Sequence, residues 1–149
     1  MLIVVISDSH GDIDAIKKVR NINPNADMYL HLGDSELPEY LLDGFVSVKG
    51  NCDYFCDYPL NLTLKTKYGN IYLEHGNHYF SIDDNYILSK NCRIFLFGHT
   101  HKRYLKQISN CYIANPGSLT KPRDGNLGSY LIIKLEQNNV QFEFKQLED

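Results

Sequence analysis

Side chains that bind metal ions follow apolar segments at five places along the chain. Asp8 and His10 come directly after the aliphatic run 2–6, and His99 and His101 follow another apolar run at 94–97. The complete set is Asp8, His10, Asp34, Asn51, His75, His99 and His101. A mixture of imidazole and carboxylate ligands is typical of sites for manganese, iron, zinc or nickel. The types and spacing of these residues therefore indicate transition-metal chemistry.

The size of this set bears on how many ions it could hold. A single tetrahedral or octahedral ion that keeps positions open for a substrate uses fewer than seven protein ligands. Two ions that share a bridging carboxylate would use the whole set. For the first stretch taken alone an alternative stays open, in which Asp8 begins a turn and His10 or Asp12 caps the following helix.

The elements of the first fifty residues determine where these side chains would meet. Apolar runs predict strands at 2–6, 27–32 and 45–49, and the segments between them predict helices at 12–20 and 38–42. Alternation of strand and helix favours parallel pairing with right-handed crossovers. Ligands of such sheets bind beyond the carboxyl ends of the strands, which is where the metal-binding side chains occur.

The rest of the chain is richer in strands. Segments 60–66 and 71–73 alternate apolar and polar residues around a turn and predict a hairpin, and 83–90 predicts a short helix. Further strands are predicted at 92–97, 104–108, 111–114, 130–135 and 140–145. We therefore expect an α/β fold in a single domain, 1–149. It would be a four-layer sandwich, two mixed β-sheets flanked by helices, with the metal site at the strand carboxyl ends.

Composition excludes several other classes of protein. The 149 residues are 43% hydrophobic and 22% charged, which is ordinary for a globular protein. A formal charge of −3 without a block of lysine and arginine argues against binding to extended nucleic acid. The run 2–6 is too short for a signal-peptide core, and no apolar stretch is long enough to span a membrane. We expect a cytoplasmic protein with no membrane partner and with reduced cysteines.

The five blocks from Asp8 to His101, together with segment 115–118, resemble the calcineurin-like metallophosphoesterases. The resemblance is to the small single-domain bacterial and archaeal phosphodiesterases of that superfamily. It implies two mixed β-sheets flanked by helices and hydrolysis of a small phosphodiester by a metal-bridging hydroxide. The implied cofactors are two divalent ions, with manganese favoured over nickel, iron or zinc. Relatives often pair, so a homodimer is a further expectation.

The resemblance also assigns roles to individual residues. Asp8, His10 and His101 would hold the first ion, Asn51, His75 and His99 would hold the second, and Asp34 would bridge the two. The catalytic group would comprise Asp34, Asn51 and Cys52. Many phosphatases of the superfamily carry histidine where this chain has Cys52, which argues against efficient monoester hydrolysis. Two roles stay open for the Cys52 thiol, proton donor or packing residue.

Two alternatives to a phosphodiesterase are kept. One is a scaffold of the same fold without catalysis, like a retromer subunit that resembles this family. The other is a phosphatase of monoesters or dinucleoside polyphosphates. Among the remaining residues, His31 is predicted to be structural and the role of His78 is open. Tyr54, Phe55 and Tyr79 lie close to the ligands in sequence and could line a pocket, with surface packing the default.

Overall fold

The computed structural model describes residues 1–78 and 82–147. The described part contains two helices, one 3-10 turn and two sheets. In chain order the elements are β1 (Leu2–Ile6), α1 (Ile13–Ile22), β2 (Met28–His31), the 3-10 turn (Glu39–Leu41), β3 (Val46–Ser47), β4 (Asn61–Thr66), β5 (Gly69–Glu74), α2 (Asp84–Leu88), β6 (Ile94–Leu96), β7 (Arg103–Ile108), β8 (Cys111–Pro116), β9 (Ser129–Leu135) and β10 (Val140–Gln146).

The first sheet has the strand order β10-β9-β1-β2-β3. Its central strand β1 runs parallel to β2, with Val5 opposite Leu30, and antiparallel to β9, with Val4 opposite Ile132. Residues 3–6 of β1 are fully buried, as expected for an aliphatic strand that packs on both faces. The sheet is therefore mixed, as predicted, and β1 lies at its centre.

The second sheet has the order β4-β5-β6-β8-β7. The predicted hairpin is present, with Leu62 of β4 opposite Leu73 of β5. Strand β6 then pairs in parallel with both β5 and β8, and β7 closes the edge antiparallel to β8. The two parallel pairings point the carboxyl ends of β5 and β6 toward the same edge.

Three apolar layers hold the sheets and helices together. The middle layer lies between the sheets and includes Ile3 and Leu73. On the outer face of the first sheet, Ile16 of α1 packs with Ile6, and Asp12 caps α1 by accepting from the Ala15 N–H. On the outer face of the second sheet, α2 contributes its one buried residue, Ile87. The predicted arrangement of two mixed sheets flanked by helices is confirmed.

Several elements are shorter than predicted, among them α2, which covers Asp84–Leu88 of the predicted 83–90, and β6, which covers Ile94–Leu96 of the predicted 92–97. The segment 38–42 forms only the 3-10 turn, because Asp43 and Gly44 both take positive φ angles and end it. The strand predicted at 45–49 is reduced to the two residues of β3, which pairs only along Leu30 and His31 at the edge of its sheet. Among the described residues, no helix is long and apolar enough to cross a membrane.

Candidate metal centre

The carboxyl ends of β1, β2, β5 and β6 meet at one edge shared by both sheets. There the Asp8 carboxylate lies at the centre of the predicted ligands. Its Oδ1 is 3.2 Å from His101 Nε2, 3.8 Å from His75 Nε2 and 4.0 Å from His10 Nε2. His10 Nε2 is also 3.3 Å from His101 Nε2. Asp8, His10 and His101 thus form a group whose ligand atoms could all reach one ion.

A second group shares Asp8 with the first. Asp8, Asp34 and His75 also place their ligand atoms close together, with His75 Nε2 3.2 Å from Asp34 Oδ2. The Asn51 Oδ1 atom lies 3.0 Å from His75 Nε2 and 3.1 Å from His99 Nδ1. All seven predicted side chains therefore converge at one edge. The bridging role of Asp34 stays a prediction.

The hydrogen bonds around these side chains leave acceptor atoms directed at the centre. His75 Nδ1 is 2.7 Å from the Leu32 carbonyl, and His101 Nδ1 is 2.7 Å from the Lys121 carbonyl. Each Nδ1–H donates to its carbonyl, so in the neutral imidazole Nε2 carries a lone pair. The buried Asp8 Oδ1 has no hydrogen-bond partner among the described residues. A cation would satisfy these acceptor atoms, so the side chains present fit a metal ion.

The electrostatics of the site also favour a cation. Burial opposes ionisation of Asp8, but His101, His75 and the Ser7 hydroxyl favour the carboxylate and hold its pKa below the ordinary value. Burial likewise opposes ionisation of Asp34, yet His75 and the backbone N–H of Cys52 lower its pKa to about 2. Both carboxylates are therefore charged at neutral pH. Although burial opposes the charged form of His75, its hydrogen bond to Asp34 and the charges of Asp8 and Asp34 raise the pKa of His75.

The backbone at five of the seven predicted ligands takes the left-handed conformation, which is rare for residues other than glycine. The φ angles are 53° at Asp8, 45° at His10, 60° at Asp34, 68° at His99 and 60° at His101. Each such residue costs about 1–2 kcal/mol relative to a right-handed conformation. Conformations of this kind persist where the surroundings determine them, and they concentrate at functional sites. Here the Asp8 N–H donates to the Gly33 carbonyl and the His10 N–H to the Asp34 carbonyl.

Asp53 holds the Asp34 loop and the Asn51 loop together. Its side chain is buried, and Oδ2 accepts from the backbone N–H of Asp34 at 2.9 Å and of Gly50 at 2.7 Å. Oδ1 accepts from the Glu36 N–H at 2.8 Å. Sequence reasoning did not identify this role, although Asp53 directly follows the predicted ligand segment. The available signal was an acidic residue, Asp53, two positions after the predicted ligand Asn51.

Three more residues support the site and were not singled out from the sequence. Glu36 Oε2 lies 3.0 Å from His10 Nδ1 and can fix the orientation of that ring. Ser118 Oγ donates to the Asp8 carbonyl at 2.8 Å, and Asn115 Nδ2 donates to the Gly98 carbonyl at 2.9 Å. Ser118 and Asn115 belong to segment 115–118, so the resemblance of that segment was the signal for them.

Close packing explains two of the glycines beside the ligands. A Cβ atom at Gly50 would lie 2.1 Å from Asp34 Oδ1. A Cβ atom at Gly98 would lie 2.1 Å from Ser7 Oγ and 2.9 Å from Asp8 Oδ2. Neither position could hold a larger residue without displacing a predicted ligand or its hydrogen-bond donor.

His31 is a structural residue, as predicted. It is fully buried, its Nδ1 accepts from the Gly33 N–H at 3.1 Å, and its Nε2 lies 2.8 Å from Ser9 Oγ. Burial lowers the pKa of His31 to about 4, so it is neutral at pH 7. His78 is exposed in the turn after Gly76, and its role stays open.

The other uncertain residues are placed as follows. Burial, with the charges of Asp34 and Glu36, raises the pKa of the Cys52 thiol to about 11, so the thiol is protonated at neutral pH. Whether Cys52 donates a proton stays a prediction. Tyr54 and Phe55 are exposed, which agrees with surface placement, and Tyr79 lies outside the described residues.

Comparison with known proteins agrees with this geometry. Residues 1–138 match the model of the calcineurin-like phosphoesterase superfamily domain. The chain is 29% identical to the probable metallophosphoesterase YsnB of Bacillus subtilis, over 97% of this chain and 90% of that protein. It is 28% identical to the phosphodiesterase YfcE of Escherichia coli K12, over 87% of this chain and 85% of that protein.

A solved structure shows the same fold. The crystal structure of a conserved protein from Streptococcus pneumoniae TIGR4, described as a predicted phosphoesterase, superposes with a TM-score of 0.87 at 30% identity. The match covers 97% of this chain and 88% of that one. The chain therefore belongs to the calcineurin-like phosphoesterase superfamily, in its branch of small bacterial and archaeal phosphoesterases.

Proposed function

We propose that the protein is a dinuclear metal-dependent phosphodiesterase that acts on small phosphodiesters. The observation that carries the proposal is the Asp8 carboxylate, whose buried Oδ1 has no hydrogen-bond partner among the described residues and which belongs to two groups of side chains that could hold an ion, one with His10 and His101 and one with Asp34 and His75. The described similarity to the phosphodiesterase YfcE supports the same reaction class.

The residues divide between two ions in this proposal. Asp8, His10 and His101 would hold the first ion, Asn51, His75 and His99 the second, and Asp34 would bridge them. Two divalent ions held there would lower the pKa of a bound water molecule and would neutralise negative charge on the phosphoryl group. We favour manganese, and nickel, iron or zinc are the alternatives, since each suits this mixture of ligands.

The chain itself fixes the geometry and leaves one side open to a substrate. Carbonyl groups orient the rings of His75 and His101, and Asp53 fixes the loop that carries Asp34. By contrast, Asn51 is exposed and His99 is only partly buried. A phosphodiester could therefore approach from the side of Asn51 and His99.

The residue after Asn51 supports a diester over a monoester. A monoester dianion gains more than a diester monoanion from a cationic group beside the phosphate. Here that position holds Cys52, whose thiol is uncharged because burial and nearby carboxylates raise its pKa to about 11. Cys52 therefore offers no positive charge to offset the additional negative charge of a monoester dianion.

Turnover of two aryl esters tests the proposal. Protein stripped with a chelator and reloaded with Mn²⁺ is expected to hydrolyse bis-p-nitrophenyl phosphate faster than p-nitrophenyl phosphate. Reloading with nickel, iron or zinc in parallel ranks the ions. A preference for the monoester would favour a phosphatase. Absence of hydrolysis with any of the ions would favour the non-catalytic scaffold.

A further inference from the structure

A groove begins at the candidate metal centre and runs over the outer face of the second sheet. It has a volume of about 790 Å³ and lies between α2 and the edge strand β7. Gly98 and His99 line it, and His99 also belongs to the predicted ligand set. A group bound in the groove would therefore be next to a phosphate at the metal centre.

The floor of the groove is apolar. Ile87 and Ile113 are almost fully buried beneath it, and Phe97 and Ile108 are partly exposed. The short helix α2 covers only part of this outer face, so an apolar strip remains beside it. Such a surface favours a planar or apolar group over a fully hydrated one.

The rim of the groove carries cations on both sides of an aromatic ring. Alternate residues of a strand share a face, so Tyr104 and Lys106 both lie on the groove side of β7, and Lys102, which directly precedes the strand, lines the groove beside them. Tyr104 is 44% exposed, and its ring packs edge-on against Phe97 with 6.0 Å between centroids. Arg103 also lines the groove, but its side chain is paired with Asp124.

The two lysines are available to a ligand. In the part of the chain that the structure describes, neither Lys102 nor Lys106 has a carboxylate within 4.0 Å, whereas Arg103 and Lys145 both do. The opposite wall contributes one carboxylate, Asp84. An exposed aromatic ring between two lysines suits a planar ring that carries negative charge, because bases stack on aromatic side chains and lysines bind phosphate.

We propose that this groove is a subsite for a nucleotide group, which makes nucleotidic phosphodiesters the substrate class. The base would lie against Tyr104 above the apolar floor, and the phosphate of that nucleotide would contact Lys102 or Lys106. As a statement about substrate the inference rests on the proposed phosphodiesterase activity. As a statement about binding it can be tested without that activity.

The activity test compares the dinucleotides pApA and ApA, which differ by one terminal phosphate. The wild-type protein is expected to prefer pApA in kcat/KM by about five- to tenfold, the effect of one or two exposed ionic contacts. In the Lys102→Gln/Lys106→Gln variant this ratio should fall to about one. The matched control Lys65→Gln/Lys134→Gln removes the same charge from exposed strand positions elsewhere and should keep the wild-type ratio. An unchanged ratio in the groove variant would overturn the inference.

The binding test uses chelator-treated protein and adenosine 5′-monophosphate as the probe, followed by NMR of the β7 amide signals. Tyr104→Ala should weaken binding by at least about fivefold, and Tyr104→Phe should restore it, because stacking needs only the ring. If no diester is hydrolysed but the probe still binds in this way, the proposed function fails and the binding site stands. If the probe shifts no β7 signal, or if Tyr104→Ala binds it as well as wild type, the subsite is refuted.

Discussion

Asp53 is the residue through which the fold most directly controls the predicted metal ligands. Its buried carboxylate accepts three backbone N–H groups, from Asp34, Gly50 and Glu36. The first of these fixes the left-handed backbone of Asp34, where φ is 60°. We therefore choose Asp53→Asn as the perturbation, since it preserves size and replaces one acceptor oxygen with a donor.

The expected loss of stability follows from these three contacts. A hydrogen bond to a charged group contributes roughly 1.5–3 kcal/mol and a neutral one about 1 kcal/mol, so the two bonds that an asparagine oxygen can keep weaken by about 1 kcal/mol each. The third N–H would face the new amide donor, which costs a further 1–3 kcal/mol or so. The free energy of unfolding should thus fall by about 4 kcal/mol, a large part of the 5–15 kcal/mol typical of a domain.

Urea unfolding followed by circular dichroism, in the presence of a chelator, measures this change without a contribution from bound metal. A Mn²⁺ titration of the folded variant should also show affinity weakened by about 10–100-fold, as for other groups that orient ligands. Asp57→Asn is the matched control, because Asp57 is exposed in the same loop. The reasoning is refuted if Asp53→Asn and Asp57→Asn unfold within about 1 kcal/mol of each other and bind Mn²⁺ equally well.

Three further substitutions test the roles of Asp34, Cys52 and His31. Asp34→Asn should release both ions and lower diester turnover by more than about a hundredfold, and normal metal content with normal turnover would contradict its bridging role. Cys52→Ser should leave metal content unchanged, because serine keeps the backbone N–H that residue 52 donates to Asp34, and loss of metal would make Cys52 a ligand. His31 has a folded pKa of about 4 against 6.5 in the unfolded chain, so the unfolded state gains the proton first and stability falls as pH drops from 6.5 toward 4. Between pH 7.5 and 5 this should cost about 2 kcal/mol in metal-free protein, and His31→Gln should lose that much less over the same range; equal slopes would contradict the assignment.

The order of elements and the edge where the ligands meet could be predicted from the sequence. The fully buried strand β1 has an unbroken aliphatic run, and Asp8 and His10 follow it at once. Parallel pairing with β2 then carries the next polar segment to the same edge. These inferences rest on runs of apolar residues and on the alternation of strands and helices, and both features can be read from a single sequence.

The support of the site could not be predicted in the same way. The three N–H groups bound by Asp53 lie 3, 17 and 19 residues away in sequence, so only the folded chain shows that they converge. The left-handed conformation of Asp8 depends on an N–H donated to Gly33, a residue of the next crossover. The groove beside His99 lies between α2 and β7, which are separated along the chain, so only the folded chain shows that the two elements enclose it.

The central proposal is that the edge shared by the two sheets holds two metal ions. The direct measurement is the metal content of protein saturated with Mn²⁺, separated from free ion by gel filtration and analysed by inductively coupled plasma mass spectrometry against protein concentration. We expect two manganese ions per chain in the wild-type protein and fewer than one in Asp34→Asn. One ion or none per wild-type chain, under conditions where bis-p-nitrophenyl phosphate is hydrolysed, would contradict the proposal.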